Sequence, residues 1–559
     1  MKRKNLKSRE DISLDNVFLD SSNLPSFDTH QFEGQMEKTI SRKPIIFLGL
    51  FFLLILFLYT FKIRDLQLNQ GEYFLTRGNN NRLEHSIIFS ERGIIYDRNG
   101  KELVWNSALK EEDQDFYKRE YSDYKGLAHI LGYVSYPLKD SGGNYFQEEY
   151  IGKSGIENFF NEKMNGENGL KIIEKDALSN IKSESFIKSS ISGENITLSI
   201  DARIQDILYT FISDLSRDVG FKGGVSILMG VENGEILAMV SFPEYDLKTI
   251  SDGENKEEIE KFLSNENKPF LNRATMGLFT PGSIVKPFLA LAALNEEIIG
   301  PYKSILSTGS IFIPNPYYPE LKTVFKDWKA HGWTDMREAI AVSSDVYFYA
   351  IGGGYEDQTG LGINRINEYV KLFGFSEETG IEAFIEERGV IPNPKWKAEV
   401  FDGEDWLIGN TYHTAIGQYG FQITPLQAIR AVTAIANEGK LFRPTILIVE
   451  TKNNDYKKIN IKEEYFEIIK QGMRQAVTEG TALGLNLPFL EISAKTGTAE
   501  RGINNEKVNS WVIGFYPSDK PKYTFVAMME EGPSENQLGG LYIMRQLFEW
   551  MNVNTPEYL

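Results

Sequence analysis

The chain has 559 residues, of which 42% are hydrophobic and 13% aromatic, so it is too long for one core and we expect two or three domains. Its formal net charge of −18, from 60 basic and 78 acidic residues, argues against a nucleic-acid partner, which would require a basic face. The absence of cysteine excludes disulfides, cysteine nucleophiles and thiolate metal sites, and none of the five histidines forms a His-x-x-x-His pair that would suggest a zinc hydrolase.

The N-terminal region predicts a membrane anchor. Residues 1–43 are polar with mixed charge, which predicts a disordered cytoplasmic tail. Residues 44–61 carry no charge and would form a helix about 27 Å long, enough to cross the hydrocarbon core. A buried core helix or a cleaved signal peptide are the alternatives, but the run has no polar face and no small-x-small cleavage site follows it. We therefore predict a single-pass transmembrane helix at 44–62 in the plasma membrane, with the N-terminus cytoplasmic and the rest of the chain outside the cytoplasm.

The next segment, 63–195, predicts a strand-rich module without evident chemistry. An alternating strand after Arg82 and a strand with an Asn-Gly turn over 92–100 are typical of β structure. Residues 107–125 are highly charged and poor in apolar residues, which predicts an exposed helix or loop. We interpret the whole segment as a spacer or an interaction module.

From about residue 196 the pattern predicts an α+β domain. A strand at 195–200 precedes Asp201, a candidate helix cap, and a hairpin is expected over 224–240. Helices are predicted after Ser283, over 335–351, near 364–373 and over 425–437. Strands return at 510–516 and 523–530, and a last helix is predicted over 541–551. Strands at both ends with helices between them predict one sheet whose strands come from distant parts of the sequence.

Three short sequence motifs within this domain carry candidate chemistry, and we call them the three stations. The first is Thr280-Pro281-Gly282-Ser283-Ile284-Val285-Lys286, a turn that leads into an apolar helix. Ser283 and Lys286 are three residues apart and would share a face, so the hydroxyl is a candidate nucleophile and the amine its base. Burial or a neighbouring cation can make a lysine neutral near pH 7, as this role requires. Four other Ser-x-x-Lys pairs occur in the chain, so the pair alone is also compatible with an ordinary helix start.

The other two stations could complete such a site. Ser343-Ser344-Asp345 precedes an aromatic helix, and helix capping by Ser343 or Asp345 is the simpler interpretation of that motif alone. Lys495-Thr496-Gly497-Thr498 suits the edge of a sheet, where Gly497 allows close approach of a ligand to the backbone. Lys495 would supply a charge for a carboxylate and Thr496 a hydroxyl, although a glycine bulge with a solvated lysine is the alternative.

Taken in order, Ser-x-x-Lys, Ser-x-Asp and Lys-Thr-Gly resemble the penicillin-recognising serine enzymes. Longer phrases resemble the class B penicillin-binding proteins of the elongation type (penicillin-binding protein two) over most of the chain from the anchor to the last helix. They are ERGIIYDRNG, NRATMGLFTPGSIVKPF, FKDW before SSDVYFY, GQYGFQITPLQ and KTGTAE.

The resemblance implies a penicillin-sensitive peptidoglycan D,D-transpeptidase that cross-links stem peptides through a serine acyl-enzyme during cell-wall elongation. The implied catalytic residues are Ser283 as nucleophile, Lys286 as base, and Ser343 and Lys495 as a route for the proton to the leaving group. Lys495 would also help to hold the substrate carboxylate. The implied substrate-binding residues are Asp345, Thr496, Gly497 and Thr498. The amides of Ser283 and Thr498 would form the oxyanion hole.

The resemblance also implies the architecture and the partners. It implies a pedestal (dimerisation-type) domain at 63–195, shortened between Asn106 and Gly126, and a transpeptidase domain at 196–559 with an antiparallel five-stranded sheet flanked by helices and an all-helical subdomain. The expected partners are nascent stem peptides, β-lactams as covalent inhibitors and a SEDS-type (RodA-like) glycosyltransferase in the membrane. No cofactor is expected.

The resemblance is incomplete at one metal site. Some relatives bind a metal there with two aspartates, a histidine and a cysteine. Asp327 and His331 match two of these ligands, but Ser307 and Ser344 occupy the other two positions. Since two ligands rarely hold zinc, we predict no metal.

Two alternatives to the transpeptidase remain. A β-lactamase or D,D-carboxypeptidase would transfer the acyl group to water, but no clear Glu-bearing loop that would activate such a water is evident. A catalytically silent β-lactam sensor, or a scaffold that activates a partner glycosyltransferase, would keep the three stations without turnover.

Overall fold

The computed structural model describes residues 42–80 (backbone alone at 77, 79 and 80), 83–107, 115–175, 181–315, 317–318, 320–449, 455–501, 506–536 and 538–559. The tail predicted at 1–43 lies almost entirely outside these residues. The chain divides into two compact units, one of residues up to Glu84 with Ile173–Ser183 and one of His85–Ile172 with Glu184–Leu559.

The first unit contains the predicted apolar helix. Helix α1 spans Arg42–Arg64, continues into a π-helical turn at Asp65–Asn69, and is followed by α2, Gly71–Asn80. The side chains of α1 are exposed and its most apolar window has a mean hydropathy of 2.6, so it is long and apolar enough to cross a membrane. This confirms the predicted spanning helix by length and composition.

Between Leu83 and Thr197, the described residues form short strands and three short helices. Its strands are β1 (Leu83–Ile88), β2 (Ile95–Tyr96), β3 (Glu102–Asn106), β4 (Arg119–Tyr121), β5 (Val134–Ser135), β6 (Leu138–Lys139), β7 (Tyr145–Gln147), β8 (Ile151–Gly152), β9 (Gly169–Lys175), β10 (Ile181–Lys188) and β11 (Ile196–Thr197). Its helices are α3 (Ala128–Leu131), α4 (Gly155–Phe159) and α5 (Asn161–Asn165). The strand orders are β1-β9-β10, β11-β2-β3-β4, β5-β8 and β6-β7.

The prediction of an exposed helix or loop over 107–125 is wrong for its described C-terminal part. Strand β4 pairs with β3 there, and Arg119 is buried. Its guanidinium donates to Glu157 Oε1 at 2.7 and 2.9 Å, and Arg92 donates to Glu157 Oε2 at 2.6 Å. A buried carboxylate shared by two guanidiniums compensates the desolvation of all three groups, which composition alone cannot reveal.

After Thr197 the described strands come from both ends and from the middle of the region, and those from the two ends form its main sheet. They are β12 (Gly223–Gly230), β13 (Ile236–Phe242), β14 (Ile305–Ser307), β15 (Ser310–Pro314), β16 (Lys322–Lys326), β17 (Gly332–Thr334), β18 (Lys440–Phe442), β19 (Tyr456–Lys458), β20 (Ser493–Arg501), β21 (Lys507–Tyr516) and β22 (Tyr523–Pro533). The main sheet has the antiparallel order β13-β12-β22-β21-β20. This confirms the predicted α+β fold with a five-stranded sheet, and it places β20 at one edge.

The described helices of this region include those that cover both faces of the sheet. They are α6 (Ala202–Val219), α7 (Leu247–Asp252), α8 (Lys256–Ser264), α9 (Lys286–Asn295), α10 (Met336–Ala341), α11 (Asp345–Gly353), α12 (Gly362–Leu372), α13 (Pro394–Val400), α14 (Ile408–Ala415), α15 (Pro425–Ala436), α16 (Glu463–Thr478) and α17 (Gly540–Asn554). Short 3-10 segments lie at Gly282–Val285, Leu483–Leu485 and Pro556–Tyr558.

The sheet is buried on both faces because strand side chains alternate in direction. Val225 and Ile227 of β12 belong to one apolar cluster with α9 and α15, whereas Leu228 belongs to a second cluster with α6 and α17. Every residue of β12 is buried as a result. Asp201 caps α6 as predicted, since its side chain accepts from the Arg203 amide.

Candidate active site

The first station lies where a 3-10 turn becomes a buried helix. Ser283 is in the turn Gly282–Val285, and Lys286 is the first residue of α9. The residues of α9 that follow Lys286 are apolar and buried through Leu294. Gly282 has a φ of +57°, and a Cβ there would lie 2.8 Å from the carbonyl oxygen of Thr498. Both the conformation and the close approach require glycine. The turn that carries Ser283 therefore lies directly against β20.

The second station lies in a break between two helices. A single helix over 335–351 was predicted, but α10 ends at Ala341 and α11 begins at Asp345. Ser343 has a φ of +58°, which a continuing helix cannot contain. Ser344, rather than Ser343 or Asp345, is the cap: its hydroxyl accepts from the Tyr347 amide at 3.3 Å. The prediction of one continuous helix was wrong, because the left-handed residue at 343 separates two short ones.

A chain of hydrogen bonds joins the three stations. Lys286 Nζ donates to Asp345 Oδ1 at 2.6 Å, to the Ser343 carbonyl at 2.7 Å and to Ser343 Oγ at 3.2 Å. Lys495 Nζ donates to the same Ser343 Oγ at 2.8 Å and to the Thr496 carbonyl at 2.7 Å. One serine hydroxyl thus lies between two buried lysine amines. Among the described residues, the Ser283 hydroxyl has no hydrogen-bond partner.

Lys495 lies in a site that disfavours positive charge. Lys286 and Lys495 are both fully buried. Burial, reinforced by the charge of Lys286, lowers the pKa of Lys495 well below its ordinary value, and only the more weakly acting Asp345 opposes this shift. An amine with a lowered pKa can be neutral near pH 7 and can exchange a proton with the hydroxyl beside it.

The third station forms the edge strand beside Ser283. In the ladder with β21, Lys495 pairs with Ile513 and Gly497 pairs with Trp511. A Cβ on Gly497 would meet Ile284 Cγ2 at 2.8 Å and the Pro281 carbonyl at 2.9 Å, so only glycine lets the strand approach the Ser283 turn this closely. The predicted residues of all three stations are therefore brought together, with Thr496 and Thr498 on the same edge strand.

A buried carboxylate braces the second station. Asp327 Oδ2 accepts from Ser344 Oγ at 2.8 Å, from the Val346 amide at 3.0 Å and from Ser307 Oγ at 3.2 Å. Burial is the largest single influence and raises the pKa of Asp327, but the hydrogen bonds from Val346, Ser344 and the Asp345 amide, together with the charge of Lys286, outweigh it and lower the pKa. His331 Nε2 lies 3.4 Å from Asp327 Oδ1, and burial lowers the pKa of this histidine.

These four side chains are the ones considered for a metal site. The structure brings Asp327, His331, Ser307 and Ser344 together, but two of the four are hydroxyls. Among the described residues, no group of three or more His, Cys, Asp or Glu side chains is placed to hold a metal ion. The absence of a metal stays a prediction.

Sequence reasoning missed three contributors to the site. Trp511 Nε1 donates to the Thr280 carbonyl at 3.0 Å, which ties the Ser283 turn to β21. The second is Thr481, whose Oγ1 accepts a hydrogen bond from Thr496 Oγ1 at 2.7 Å. Asp327 was considered only as a metal ligand. No local signal identifies these residues, because each acts on a partner from another part of the sequence.

Two family models match the chain. Residues 224–548 match the model described as penicillin binding protein transpeptidase domain, and residues 114–198 match the penicillin-binding protein dimerisation domain. The first match alone covers more than half of the chain, and it contains the three stations.

Curated relatives and solved structures agree with the family models. A Haemophilus influenzae protein named peptidoglycan D,D-transpeptidase MrdA is 30% identical over 80% of this chain and 71% of its own length. The Escherichia coli K12 protein of that name is 26% identical over 91% of this chain and 94% of its own. The structure of Helicobacter pylori PBP2 in complex with MreC is similar, with a TM-score of 0.69, 26% identity, and coverage of 84% of this chain and 100% of that one. Pseudomonas aeruginosa PBP2 in complex with WCK 5153 gives a TM-score of 0.70 and 26% identity over 85% of this chain and 98% of that one. From the site geometry and these matches, we conclude that this chain belongs to the penicillin-binding proteins that carry a dimerisation domain and a transpeptidase domain.

Proposed function

We propose that this protein is a peptidoglycan D,D-transpeptidase that cross-links stem peptides during cell-wall elongation. The observation that carries the proposal is the Ser343 hydroxyl held between Lys286 and Lys495, beside the turn that presents Ser283. Relatives named peptidoglycan D,D-transpeptidase support the same reaction.

In the proposed first half-reaction, Ser283 Oγ attacks the carbonyl carbon of the penultimate D-alanine of a donor stem peptide. Lys286 accepts the hydroxyl proton as the new C–O bond forms. The amides of Ser283 and Thr498 stabilise the oxyanion, and each such donor is typically worth about 3 kcal/mol. The close contact between the Ser283 turn and β20 supports this assignment, because the backbone of Gly282 lies directly against the backbone of Thr498.

Collapse of the tetrahedral intermediate breaks the peptide C–N bond and releases the terminal D-alanine. The leaving amine takes a proton through Ser343 Oγ, which contacts both lysine amines. In the second half-reaction an acceptor amine attacks the acyl-enzyme, its surplus proton returns through the same groups, and the Ser283 hydroxyl is restored. A β-lactam would acylate Ser283 in the same way and remain bound.

The edge position of β20 supports substrate binding by strand addition. One edge of β20 pairs with β21, and among the strands that the structure describes none follows β20 on the other side. An extended stem peptide can pair with such an edge through backbone hydrogen bonds. Lys495 and Thr496 would bind its terminal carboxylate, while Asp345 holds Lys286 in place through the 2.6 Å contact.

For location and partners, we propose that α1 is an uncleaved anchor with the N-terminus in the cytoplasm and the transpeptidase domain outside it. A SEDS-type (RodA-like) glycosyltransferase in the same membrane is the proposed partner, because cross-linking needs newly polymerised glycan strands. The H. pylori relative is seen in complex with MreC, which supports an assembly role for this type of protein.

Labelling with a fluorescent penicillin tests the active site. The wild type and Ser283→Ala are compared on a denaturing gel, with Ser185→Ala as the matched control. Ser185 and Lys188 form another Ser-x-x-Lys pair, on the exposed strand β10. We expect a covalent band for the wild type and the control, and none for Ser283→Ala. A labelled Ser283→Ala protein, or an unlabelled but folded wild type, contradicts the site.

Turnover separates the transpeptidase from a sensor or a hydrolase. Purified protein is mixed with uncross-linked peptidoglycan, and cross-linked dimers are counted by chromatography after digestion. We expect dimers that disappear with Ser283→Ala or penicillin. Acylation without dimers supports the sensor or scaffold, and trimmed monomers support a carboxypeptidase.

The absence of native cysteine makes the orientation easy to test. Lys7→Cys and Ser185→Cys place single thiols on opposite sides of α1 in the sequence. A membrane-impermeant maleimide applied to intact cells, with the outer membrane opened where one is present, should label only the cysteine at 185. Labelling of the cysteine at 7 alone refutes the proposed orientation.

A further inference from the structure

The hairpin of β15 and β16 presents an apolar face to solvent. The two strands are antiparallel, with Ile311 opposite Phe325 and Phe312 opposite Val324. Ile311 and Phe325 are 2% and 6% exposed, whereas Phe312 and Val324 are 44% and 52% exposed. The first pair therefore packs into the protein and the second pair faces outward, as strand alternation requires. Leu321, at the start of the turn into β16, is also exposed.

Between the two strands, the described residues add two exposed aromatic rings. The side chain of Asn315 accepts from the amides of Tyr317 and Tyr318 at 2.9 and 3.1 Å, and the Asn315 amide donates to the Leu321 carbonyl at 2.7 Å. Tyr317 and Tyr318 are both exposed. Exposed apolar residues are common singly, but a contiguous group of them on one ribbon indicates an interaction site.

The buried face fixes this hairpin to the helix that carries the second station. Phe325 packs edge-on against Tyr349 of α11, with ring centroids 6.0 Å apart, and belongs to one apolar cluster with Val346. The Tyr349 hydroxyl donates to the Lys326 carbonyl at 3.1 Å. Asp345 begins the same helix, so the hairpin is attached to the active site through a rigid element.

The hairpin and the residues that directly follow it carry a charge opposite to that of the whole chain. Over residues 309–330 the exposed charged groups are Lys322, Lys326 and Lys329 against Glu320, since Asp327 is buried. The whole chain has a net charge of −18. Lys322 Nζ lies over the Phe312 ring, 4.1 Å from its centroid, so the hairpin presents a cation in contact with an aromatic side chain.

We propose that this hairpin, formed by β15 and β16 with the exposed Tyr317 and Tyr318, binds a glycan strand of peptidoglycan next to the transpeptidase site. Aromatic rings offer flat apolar surfaces that suit the C–H faces of sugar rings, and the lysines suit the free carboxylates of stem peptides. Neither a phospholipid membrane nor a nucleic acid combines the C–H faces of sugar rings with dispersed carboxylates, because both carry phosphate groups as their anions. The inference rests on the proposed function for the identity of the ligand. It adds a site for the glycan to a reaction that concerns only the peptide.

Binding to soluble strands tests the proposal without turnover. Uncross-linked strands with their stem peptides, and carboxylate-free strands of N-acetylglucosamine oligomers, are titrated into labelled full-length protein in detergent. The variants are Phe312→Ser/Val324→Ser and Lys322→Gln. The matched controls are Leu263→Ser/Val553→Ser, which removes two exposed apolar side chains elsewhere, and Lys395→Gln, which removes an exposed lysine on α13.

We expect the double serine variant to bind both kinds of strand at least tenfold more weakly. Lys322→Gln should weaken binding of peptide-bearing strands several-fold and leave binding of the carboxylate-free strands unchanged, while both controls bind as the wild type does. Equal binding by wild type and hairpin variants overturns the proposal, as does an equal loss in the controls. A change in dimerisation at unchanged strand affinity would assign the face to a second copy and also overturn it.

The design separates this proposal from the proposed function. Penicillin labelling fails if the acyl-transfer site is wrong, whereas strand binding is measured at equilibrium and does not depend on acylation. If the double serine variant does not fold, as judged by its melting temperature, Lys322→Gln decides the outcome because it leaves the apolar packing of the hairpin in place.

Discussion

Replacing Asp327 by alanine should damage the active site without touching a catalytic group. Its buried carboxylate accepts from Ser344 Oγ, Ser307 Oγ and the Val346 amide within 3.2 Å, and its lowered pKa keeps it ionised at neutral pH. Hydrogen bonds to charged groups contribute about 1.5–3 kcal/mol each, but rotation of two hydroxyls recovers part of the loss. We expect the free energy of unfolding to fall by about 3–5 kcal/mol.

The consequence for acylation follows from the position of Ser344 beside Ser343. Without Asp327, the segment between α10 and α11 loses the acceptor that fixes it, and Ser343 Oγ is no longer held between the two lysines. We expect penicillin acylation to slow at least tenfold, equivalent to about 1.4 kcal/mol in the barrier. Asp327→Asn, which keeps one acceptor oxygen, should lie between alanine and the wild type.

Asp335→Ala is the control for a general loss of stability. Asp335 caps α10 by accepting from the Glu338 amide, so its loss should cost about 1 kcal/mol without reaching Ser343. Stopped-time labelling with fluorescent penicillin, at a temperature where all variants are folded, gives the acylation rates. The reasoning is refuted if Asp327→Ala is acylated at the wild-type rate, or if Asp335→Ala is slowed as much as Asp327→Ala.

Two further predictions concern the packing around the site and around residue 244. Gly497→Ala should slow penicillin acylation more than tenfold, because the new methyl group would lie 2.8 Å from Ile284 Cγ2 and push β20 away from the Ser283 turn. An unchanged labelling rate would show that β20 shifts without harm to the site and would contradict this prediction. Burial raises the pKa of Glu244 to about 7 from 4.5, although it accepts from the Gly126 and Ala128 amides. A raised folded-state pKa contributes stability that is complete below pH 4.5 and is lost as the pH rises through 7. Glu244→Gln should remove this dependence, so that the wild type loses about 3 kcal/mol relative to the variant between pH 4.5 and 7 in denaturant titrations. Parallel pH profiles for the two proteins would contradict this.

The elements with strong local patterns were predictable from the sequence. The apolar run at 44–61, the hairpin of β12 and β13, the cap at Asp201 and the edge strand β20 each follow from a period, a turn motif or a cap within a few residues. The three stations were predictable because their order resembles a known family, and the structure brings them together.

The interactions that fix the site were not predictable, because they join residues far apart in the sequence. The helix break at Ser343 depends on one left-handed residue in a run that otherwise favours helix. Arg119 looked exposed because its partner Glu157 is 38 residues away. Asp327 looked like an incomplete metal site, since the hydroxyls that it accepts from lie 17 and 20 residues away.

Buried Lys495 should make the active site a source of instability. Burial and the charge of Lys286 lower the pKa of Lys495 well below 10.5, so between that lowered value and 10.5 the unfolded chain binds a proton that the folded chain does not. The free energy of unfolding should therefore rise with pH through this window.

Lys495→Met keeps the length of the side chain and removes its titration. We expect the variant to lose acylation, yet to be more stable than the wild type near pH 7, with an advantage that shrinks as the pH approaches 10. Lys395→Met, at an exposed position on α13, should change neither quantity. Denaturant titrations from pH 7 to 10 measure the difference. A wild type that loses stability relative to Lys495→Met as the pH rises would reverse the sign and contradict the lowered pKa. The predicted sign matters for function, because the same desolvation that destabilises an ammonium here supplies the neutral amine that proton transfer through Ser343 requires.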